Sequence, residues 1–310
     1  MTSPRPANIK FISLAIAGLL AVFIIGIVIV IGGRTAAPPP TSLPSASPHH
    51  FRRPVIWVLA QSSLSNLLSA DPSIATRAFD HPDVYITAKP GASDPVPPGW
   101  RSVPTVNFKS YVAFSGAVSA GTMPSWTKAV LYDPENWSQT PVNEQTNVGY
   151  YMQQFCRLAH SHGWLAIMTP GTDLMNIYQK LPGETDAQAF IRHNIAGAAA
   201  RYADMSEAQS QAIEASPGTY NWFLTKARSQ ALAANPRVVF LGGLTANVLG
   251  TTASADVMYH AALSVSNVVD GFFLNVSKNA PDPMNATQFL DQLATYRQPA
   301  RGAPYRSWLS

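Results

Sequence analysis

The chain has 310 residues, only 12% of them charged against about 25% in typical soluble domains, which excludes a largely disordered chain. Its single cysteine, Cys156, excludes internal disulfides and cysteine-based zinc ribbons. Three of the 21 basic residues lie in 1–50, so the remainder has 18 basic and 17 acidic residues and is nearly neutral. Because the chain also has no Lys/Arg-rich run, we expect no nucleic-acid partner.

The first element in chain order is an apolar segment at 11–31 without a charged residue. About 20 apolar residues cross a hydrocarbon core, whereas the apolar part of a signal peptide has about 7–15, so the sequence predicts a transmembrane anchor. Arg5 and Lys10 precede it, and the positive-inside rule therefore places residues 1–10 in the cytoplasm and the rest outside the membrane. A cleaved signal, which would give a secreted chain, is the alternative.

Residues 32–53 follow the apolar segment and are rich in Pro, Ser and Thr. This composition favours extended backbone and cannot bury a core, so we expect a stalk.

Residues 54–310 are about as long as a (β/α)8 barrel, which has roughly 250 residues. From the fourth strand onward, segments of helical periodicity separate the apolar runs, and this alternation predicts a parallel (β/α)8 barrel. An open doubly wound sheet is the alternative, although no GxGxxG or GxxxxGK[ST] motif follows a strand. Short apolar runs typical of buried parallel strands lie at 55–60, 84–88, 105–108, 129–133, 164–169, 203–209, 238–244 and 271–276.

Two carboxylates, Asp133 and Glu135, follow the fourth strand in the run AVLYDPENW. Reactive residues of such barrels lie at the carboxyl ends of strands, and residues two apart share a face, so both are expected in the barrel mouth. Two close carboxylates resist ionising together, which leaves one as a proton donor. Such a pair suits acid/base chemistry on a glycosidic bond. The expected Cα separation of about 6.6 Å is compatible with both the retaining and the inverting class of glycosidase. The alternative is a structural pair that binds loop amides or a cation such as Lys89 or Lys109.

The sixth strand is unusually polar for a barrel interior, because Glu207, Gln209 and Gln211 share one face in ADMSEAQSQ. Buried amides and carboxylates need partners, so these residues either line a wet mouth for polyhydroxylated ligands or form a satisfied internal network. Glu207 is the expected partner of the acid pair. Asn247 and Asn275, at the ends of the last two strands, are expected to add ligand-binding groups.

Trp137 stands among polar loop residues after the acid pair and is a candidate platform for a sugar ring, with a core position as the alternative. His160 and His162 end a predicted helix, where solvation is the expected state rather than metal binding. No GxSxG nucleophile elbow is present, and Cys156 is expected to pack as a small hydrophobe. The sequence therefore predicts no metal and no cofactor.

Part of the chain resembles a group of functionally uncharacterised, secreted or membrane-anchored actinobacterial (β/α)-barrel proteins, with YDPExW…TPxxEQ as the most specific string. The resemblance covers most of 54–310 and implies the barrel fold and export, without naming a substrate. It rests on residues 129–174, ADMSEAQSQ at 203–211 and GFFLNV at 271–276.

A more distant similarity is to chitinase-like glycoside hydrolases, whose fourth strand ends in a DxxDxDxE run with the final Glu as the acid. Asp133 and Glu135 match its last two positions, whereas the three residues before them, Val130, Leu131 and Tyr132, are not acids.

The leading hypothesis is a membrane-anchored, extracytoplasmic, glycoside-hydrolase-like barrel that acts on a cell-envelope or environmental polysaccharide. Glu135 is its expected general acid, Asp133 tunes the pKa of Glu135, and Glu207 or the Gln209/Gln211 pair orients substrate or water. The alternative is a non-catalytic barrel that binds a glycan or an envelope protein, and a third hypothesis is a structural protein whose mouth is plugged by 89–128. The expected partners are a carbohydrate or cell-envelope polymer, and the lipid bilayer through 11–31.

Overall fold

The structure, a computed structural model, describes residues 55–295. The predicted anchor at 11–31 and stalk at 32–53 lie outside the described residues. Within 55–295, none of the helices combines the length and the apolar character needed to cross a bilayer.

Eight parallel strands close into a barrel in the order β1-β10-β7-β6-β5-β4-β3-β2, and β1 pairs with β2. All eight predicted strands are present close to their predicted bounds, and closure excludes the open-sheet alternative. A short antiparallel hairpin, β8–β9, follows β7. The strands are β1 (Ile56–Ala60), β2 (Val84–Ala88), β3 (Val103–Phe108), β4 (Ala129–Tyr132), β5 (Leu165–Met168), β6 (Met205–Ala208), β7 (Val239–Thr245), β8 (Asn247–Val248), β9 (Thr251–Thr252) and β10 (Gly271–Asn275).

Helices alternate with the strands, as a parallel barrel requires. Among residues 55–295, every connection between consecutive barrel strands contains a helix except the one between β2 and β3. The helices are α1 (Gln61–Ala70), α2 (Pro72–Phe79), α3 (Tyr111–Ser119), α4 (Val142–Thr146), α5 (Val148–Ser161), α6 (Asp186–Arg192), α7 (Ile195–Ala200), α8 (Pro217–Ala234), α9 (Ala255–Ser264) and α10 (Asp282–Thr295), with 3-10 turns at Thr172–Asn176 and Gln211–Ile213.

The helices cover the barrel with apolar stripes of the predicted period. In α5, the buried side chains Val148, Met152, Phe155 and Ala159 recur every three or four residues, and the buried Cys156 packs beside them as predicted. Phe155 stacks on Tyr132 of β4, with ring centroids 5.0 Å apart. Such contacts hold β4 against α5 and so fix the loop that follows β4.

The barrel interior is apolar over most of its length and becomes polar at one end. Because strand side chains alternate with a period of two, every second residue points inward. Toward the carboxyl ends, the inward positions change from apolar to polar, from Leu131 to Asp133, Ile167 to Thr169, Met205 to Glu207 and Phe273 to Asn275. The polar end is therefore where the structure places the candidate site.

Candidate functional site

A cavity of about 450 Å³ opens at the carboxyl ends of the strands. We call it the acid-pair cavity. Its size lies within the range of about 300–1,000 Å³ that is usual for ligand sites. Seven of the eight predicted site residues line it: Asp133, Glu135, Glu207, Gln209, Gln211, Asn247 and Asn275.

Asp133 is a nearly buried carboxylate, 7% exposed, at the first position after β4. The ammonium group of Lys109 forms an ion pair with Oδ2. The hydroxyl of Thr169 and the side-chain amide of Gln209 donate to Oδ1 at 3.1 and 2.9 Å. Both oxygens of Asp133 are thus engaged, and the predicted alternative of a cation partner is realised by Lys109.

Glu135 lies two residues further on, in the loop after β4. Its side chain nevertheless lines the same cavity as Asp133. Burial raises the pKa of Glu135 to about 7, and the negative charge of Asp133 acts in the same direction. Hydrogen bonding to Gln209 opposes this rise. Glu135 is therefore largely protonated below neutral pH, as a proton donor must be.

Gln209 joins the two carboxyl groups. Its amide nitrogen donates to Asp133 Oδ1 at 2.9 Å and to Glu135 Oε1 at 3.1 Å, and it also reaches the carbonyl oxygen of Thr169 at 3.0 Å. A single nitrogen at these distances holds the two oxygens no more than about 6 Å apart. This upper limit is compatible with the separation of about 5–5.5 Å found in retaining glycosidases.

Glu207 forms the floor of the cavity and is 2% exposed. Burial raises the pKa of Glu207 well above its usual range, and the charge of Asp133 adds to the effect. The amide of Gln211 donates to Glu207 Oε1 at 3.1 Å. Gln211 follows β6 rather than continuing it, and its amide lies where a side chain at Gly243 would stand. The raised pKa favours the protonated form of Glu207, which accepts the hydrogen bond from Gln211 without adding negative charge to the cavity.

Trp137 is the one predicted site residue that is not among those lining the acid-pair cavity. Its indole N–H donates to the hydroxyl oxygen of Thr140 at 2.8 Å, and its ring lies under the ammonium group of Lys109, 4.7 Å from the centroid. The Thr140 hydroxyl in turn donates to the carbonyl of Lys109 at 2.7 Å. Trp137 thus positions the cation that pairs with Asp133, and its predicted stacking on a sugar has no support from the cavity.

Two residues of the TPVNEQ run hold the same loop. The buried carboxylate of Glu144 accepts the backbone N–H of Tyr111 at 2.6 Å and of Val112 at 3.0 Å, the first two residues of α3. It also accepts the hydroxyl of Tyr132 at 2.6 Å. Gln145 donates to the carbonyl of Trp137 at 2.8 Å. The run is therefore a structural clamp between β4, the acid-pair loop and α3, which begins two residues after Lys109.

The β8–β9 hairpin overhangs the cavity. Asn247 lines the cavity while its amide donates to Asp282 at 3.2 Å. Leu249, at the tip, is 82% exposed with a positive φ of 49°. It gives the mouth an apolar rim that the sequence patterns did not indicate. Asn275 is exposed beside the base of the hairpin, at the end of β10, where its carbonyl accepts the N–H of Ala246 at 3.0 Å.

A second cavity, of about 680 Å³, adjoins the first and shares Ala60, Asn107 and Lys109 with it. We call it the basic cavity. Its lining includes Lys89 as well as Lys109, and no carboxylate among residues 55–295. The 89–128 segment contributes walls to this cavity, so the mouth is open rather than plugged by that segment.

No protein-family model matches the chain, and no curated protein matches its sequence, so both resemblances stay predictions. Triosephosphate isomerase from Bartonella henselae is similar over 78% of this chain and 100% of its own, at 9% identity and a TM-score of 0.46. Hydroxymethylglutaryl-CoA lyase from Pseudomonas aeruginosa covers 74% of this chain and 77% of its own, at 12% identity and a TM-score of 0.44. An active-site mutant of Rhizomucor miehei β-1,3-glucanosyltransferase, in complex with laminaritriose, covers 71% and 86%, at 10% identity and a TM-score of 0.35.

These similarities are too low to support an argument about activity. The chain's own strand pairing establishes that it is a closed (β/α)8 barrel. The fold hosts many chemistries, so the function must be argued from the site.

Proposed function

We propose that the chain is a glycoside-hydrolase-like barrel in which Glu135 donates a proton to the glycosidic oxygen as the bond from this oxygen to the anomeric carbon breaks. A water molecule then adds to the anomeric carbon and returns a proton to Glu135, while Asp133 supplies negative charge beside the cationic transition state. The observation that supports this is the single amide of Gln209 bonded to both carboxyl groups, at 2.9 and 3.1 Å. The pair is asymmetric, because Asp133 is paired with Lys109, whereas burial raises the pKa of Glu135 to about 7. One protonated acid beside one charged carboxylate is what glycosidic bond cleavage requires.

The other groups of the cavity have supporting roles in this proposal. Gln209 fixes the separation of the two carboxyl groups, and the neutral pair of Glu207 and Gln211 forms a hydrogen-bonding floor for sugar hydroxyls. Asn247 and Asn275 supply further polar contacts at the rim. The predicted anchor at 11–31 would hold the barrel on the outer face of the membrane, where cell-envelope or environmental polysaccharides are the available polymers.

A non-catalytic glycan-binding barrel is the second candidate, and one observation favours it. Both oxygens of Asp133 are already engaged by Lys109, Thr169 and Gln209. A carboxylate so occupied is a weak nucleophile or base, whereas it remains a good acceptor for the hydroxyl groups of a bound sugar.

The test compares the full-length chain with its Glu135→Gln variant, both purified in mild detergent, against a panel of envelope polysaccharides. We expect hydrolysis by the wild type and a loss of at least about 100-fold in the variant, because general acid catalysis contributes about 10²–10⁴-fold. The wild-type kcat/KM should fall as pH rises through about 7, since Glu135 must be protonated. Glu184→Gln, the same chemical change at a residue outside the acid-pair cavity, is the matched control and should keep full activity.

Two results discriminate between the candidates. Binding that survives in Glu135→Gln while hydrolysis is lost assigns the acid to Glu135. Binding by both proteins with hydrolysis by neither would contradict the enzyme and leave the glycan-binding barrel.

A further inference from the structure

The β8–β9 hairpin ends in a two-residue turn, formed by Leu249 and Gly250 between the paired residues Val248 and Thr251. The two turn residues have positive φ angles of 49° and 88°. A two-residue hairpin turn with positive φ at both positions is a type I′ turn, in which Asn-Gly, Asp-Gly and Gly-Gly are the favoured pairs. Gly250 therefore suits its position, whereas Leu249 does not.

Two features make a leucine unfavourable at position 249. In the left-handed region its Cβ comes close to the following carbonyl oxygen, a conformation that asparagine adopts more readily. Its side chain is also 82% exposed, so the fold gains little packing from it. Among residues 55–295, the other non-glycine residue with a positive φ is Asn194, which is of the expected type. Folding alone does not explain Leu249, and residues that break a local rule are concentrated at functional sites.

Leu249 belongs to the lining of the acid-pair cavity, as Asp133 and Glu135 do. The hairpin follows β7, and β5 and β6 separate β7 from β4 in the barrel, so the hairpin and the acid pair lie on different sides of the opening. A molecule that reaches both carboxyl groups and fills the cavity therefore also contacts Leu249. Its binding would cover an apolar side chain that the fold leaves in water.

The hairpin is held at the cavity by Asp282, the fully buried first residue of α10. The carboxylate of Asp282 accepts the hydroxyl of Thr252 at 2.9 Å and the amide of Asn247 at 3.2 Å, one residue from each strand of the hairpin. The hydroxyl of Ser277 donates to the same carboxylate at 2.7 Å. Because the hairpin is anchored in this way, Leu249 needs little further ordering to contact a ligand.

We propose that Leu249 is a substrate-contacting residue, whose side chain packs on the apolar C–H face of a sugar unit bound in the acid-pair cavity. The inference rests on the proposed function and deepens it, because the sugar unit next to the hairpin must then present an uncharged ring face. Asn247 lines the cavity from the same hairpin. An apolar group and a polar group thus stand together, as a sugar with apolar faces and hydroxyl edges requires.

The experiment measures the binding of cellohexaose, chitohexaose and maltohexaose by calorimetry, together with the melting temperature of each protein. The protein is the full-length chain carrying Glu135→Gln, so that hydrolysis cannot consume the probe. To this background we add Leu249→Asn, which suits the turn but removes the apolar side chain, or Leu249→Met, which keeps an apolar side chain of similar size. Leu181→Asn is the matched control, because Leu181 is also an exposed leucine and does not line the acid-pair cavity.

We expect Leu249→Asn to weaken the binding of the best probe about tenfold, because covering a leucine side chain contributes at least this much to affinity. The same variant should melt about 2 °C higher, since asparagine relieves the left-handed conformation. Leu249→Met should bind as the background protein does, and Leu181→Asn should change neither quantity. A variant that is more stable yet binds less tightly supports the contact, because replacing a purely structural leucine would lower the melting temperature.

Unchanged affinity in Leu249→Asn, an equal loss in Leu181→Asn, or a lower melting temperature in Leu249→Asn would overturn the contact. A lack of binding by all the hexasaccharides would overturn it as well. Hydrolysis of a polysaccharide by the wild type, with a KM that Leu249→Asn does not change, would then leave the proposed function standing. Conversely, Leu249-dependent binding without hydrolysis by the wild type would keep the contact and remove the enzyme.

Discussion

Gly243 is the residue that lets Gln211 reach the floor of the acid-pair cavity. It occupies an inward position of β7, and a Cβ placed there would overlap the side-chain amide of Gln211. That amide donates to the buried Glu207 at 3.1 Å. Because Gly243 has no side chain, Gln211 can reach Glu207 and form the hydrogen bond that this buried carboxyl group needs.

We predict that Gly243→Ala destabilises the fold by about 1–3 kcal/mol, because the new methyl group displaces the end of the Gln211 side chain and leaves the buried Glu207 without this hydrogen bond. Urea unfolding of Gly243→Ala, Gln211→Ala and the double variant measures the coupling between the two positions. The Gly243→Ala cost should shrink by at least about 0.5 kcal/mol when Gln211 has already been truncated. Additive costs would contradict the steric account.

At the scale of elements, the acid pair depends on how α3 is attached to β4. Glu144 accepts two N–H groups of the first turn of α3 and the hydroxyl group of Tyr132. Ser110 caps the same helix by accepting the N–H of Ala113 at 3.1 Å. Because Lys109 directly precedes this cap, the helix start also determines where the partner of Asp133 lies.

We predict that Glu144→Gln costs about 2–4 kcal/mol of unfolding free energy, since it removes a buried charge at a helix N-terminus and turns an accepting oxygen into a donor that faces N–H groups. Ser110→Ala should cost about 1 kcal/mol, as is usual for an N-cap. Chemical denaturation of both variants gives the comparison. A smaller loss for Glu144→Gln than for Ser110→Ala would refute the clamp.

The elements themselves were largely predictable, because buried parallel strands produce apolar runs that any reader of the sequence can count. The inward turn of Asp133, Glu207 and Gln209 followed from the period of two and from the polar end of the barrel. The hydrogen bonds between these residues could not be predicted from the sequence, because the contact of Gln209 with Glu135 depends on the conformations of two separate loops. The roles of Thr140 and Trp137 were hidden for the same reason: a side chain at a loop position has no periodicity to reveal its partner.

At the scale of the whole molecule, burial of acidic groups sets the pH dependence of stability. Burial raises the pKa of Glu135 to about 7 and the pKa of Glu214 to about 8. It also raises the pKa of Glu207 well above its usual range. A group whose pKa is higher in the folded chain stabilises the fold fully below its unfolded pKa of about 4.5. That contribution is lost as pH rises through the folded value, so these groups all favour the acid side.

We therefore predict that the free energy of unfolding is larger at pH 5 than at pH 8.5, and that Glu214→Gln reduces the difference. Glu214 is fully buried, one of its oxygens accepts the N–H of Thr245 at 2.7 Å, and the other has no partner among residues 55–295. At about 1.4 kcal/mol per pKa unit, its ionisation costs on the order of a few kcal/mol at alkaline pH, and glutamine avoids this cost. Urea midpoints at the two pH values measure the effect. Glu184→Gln is the control, because the ion pair with Arg192 lowers the pKa of Glu184 to about 2 and leaves it charged at both pH values. Two outcomes would contradict this account: a wild-type urea midpoint that is no lower at pH 8.5 than at pH 5, or a Glu214→Gln variant whose midpoints equal those of the wild type at both pH values. Either outcome would show that ionisation of Glu214 does not destabilise the fold at alkaline pH.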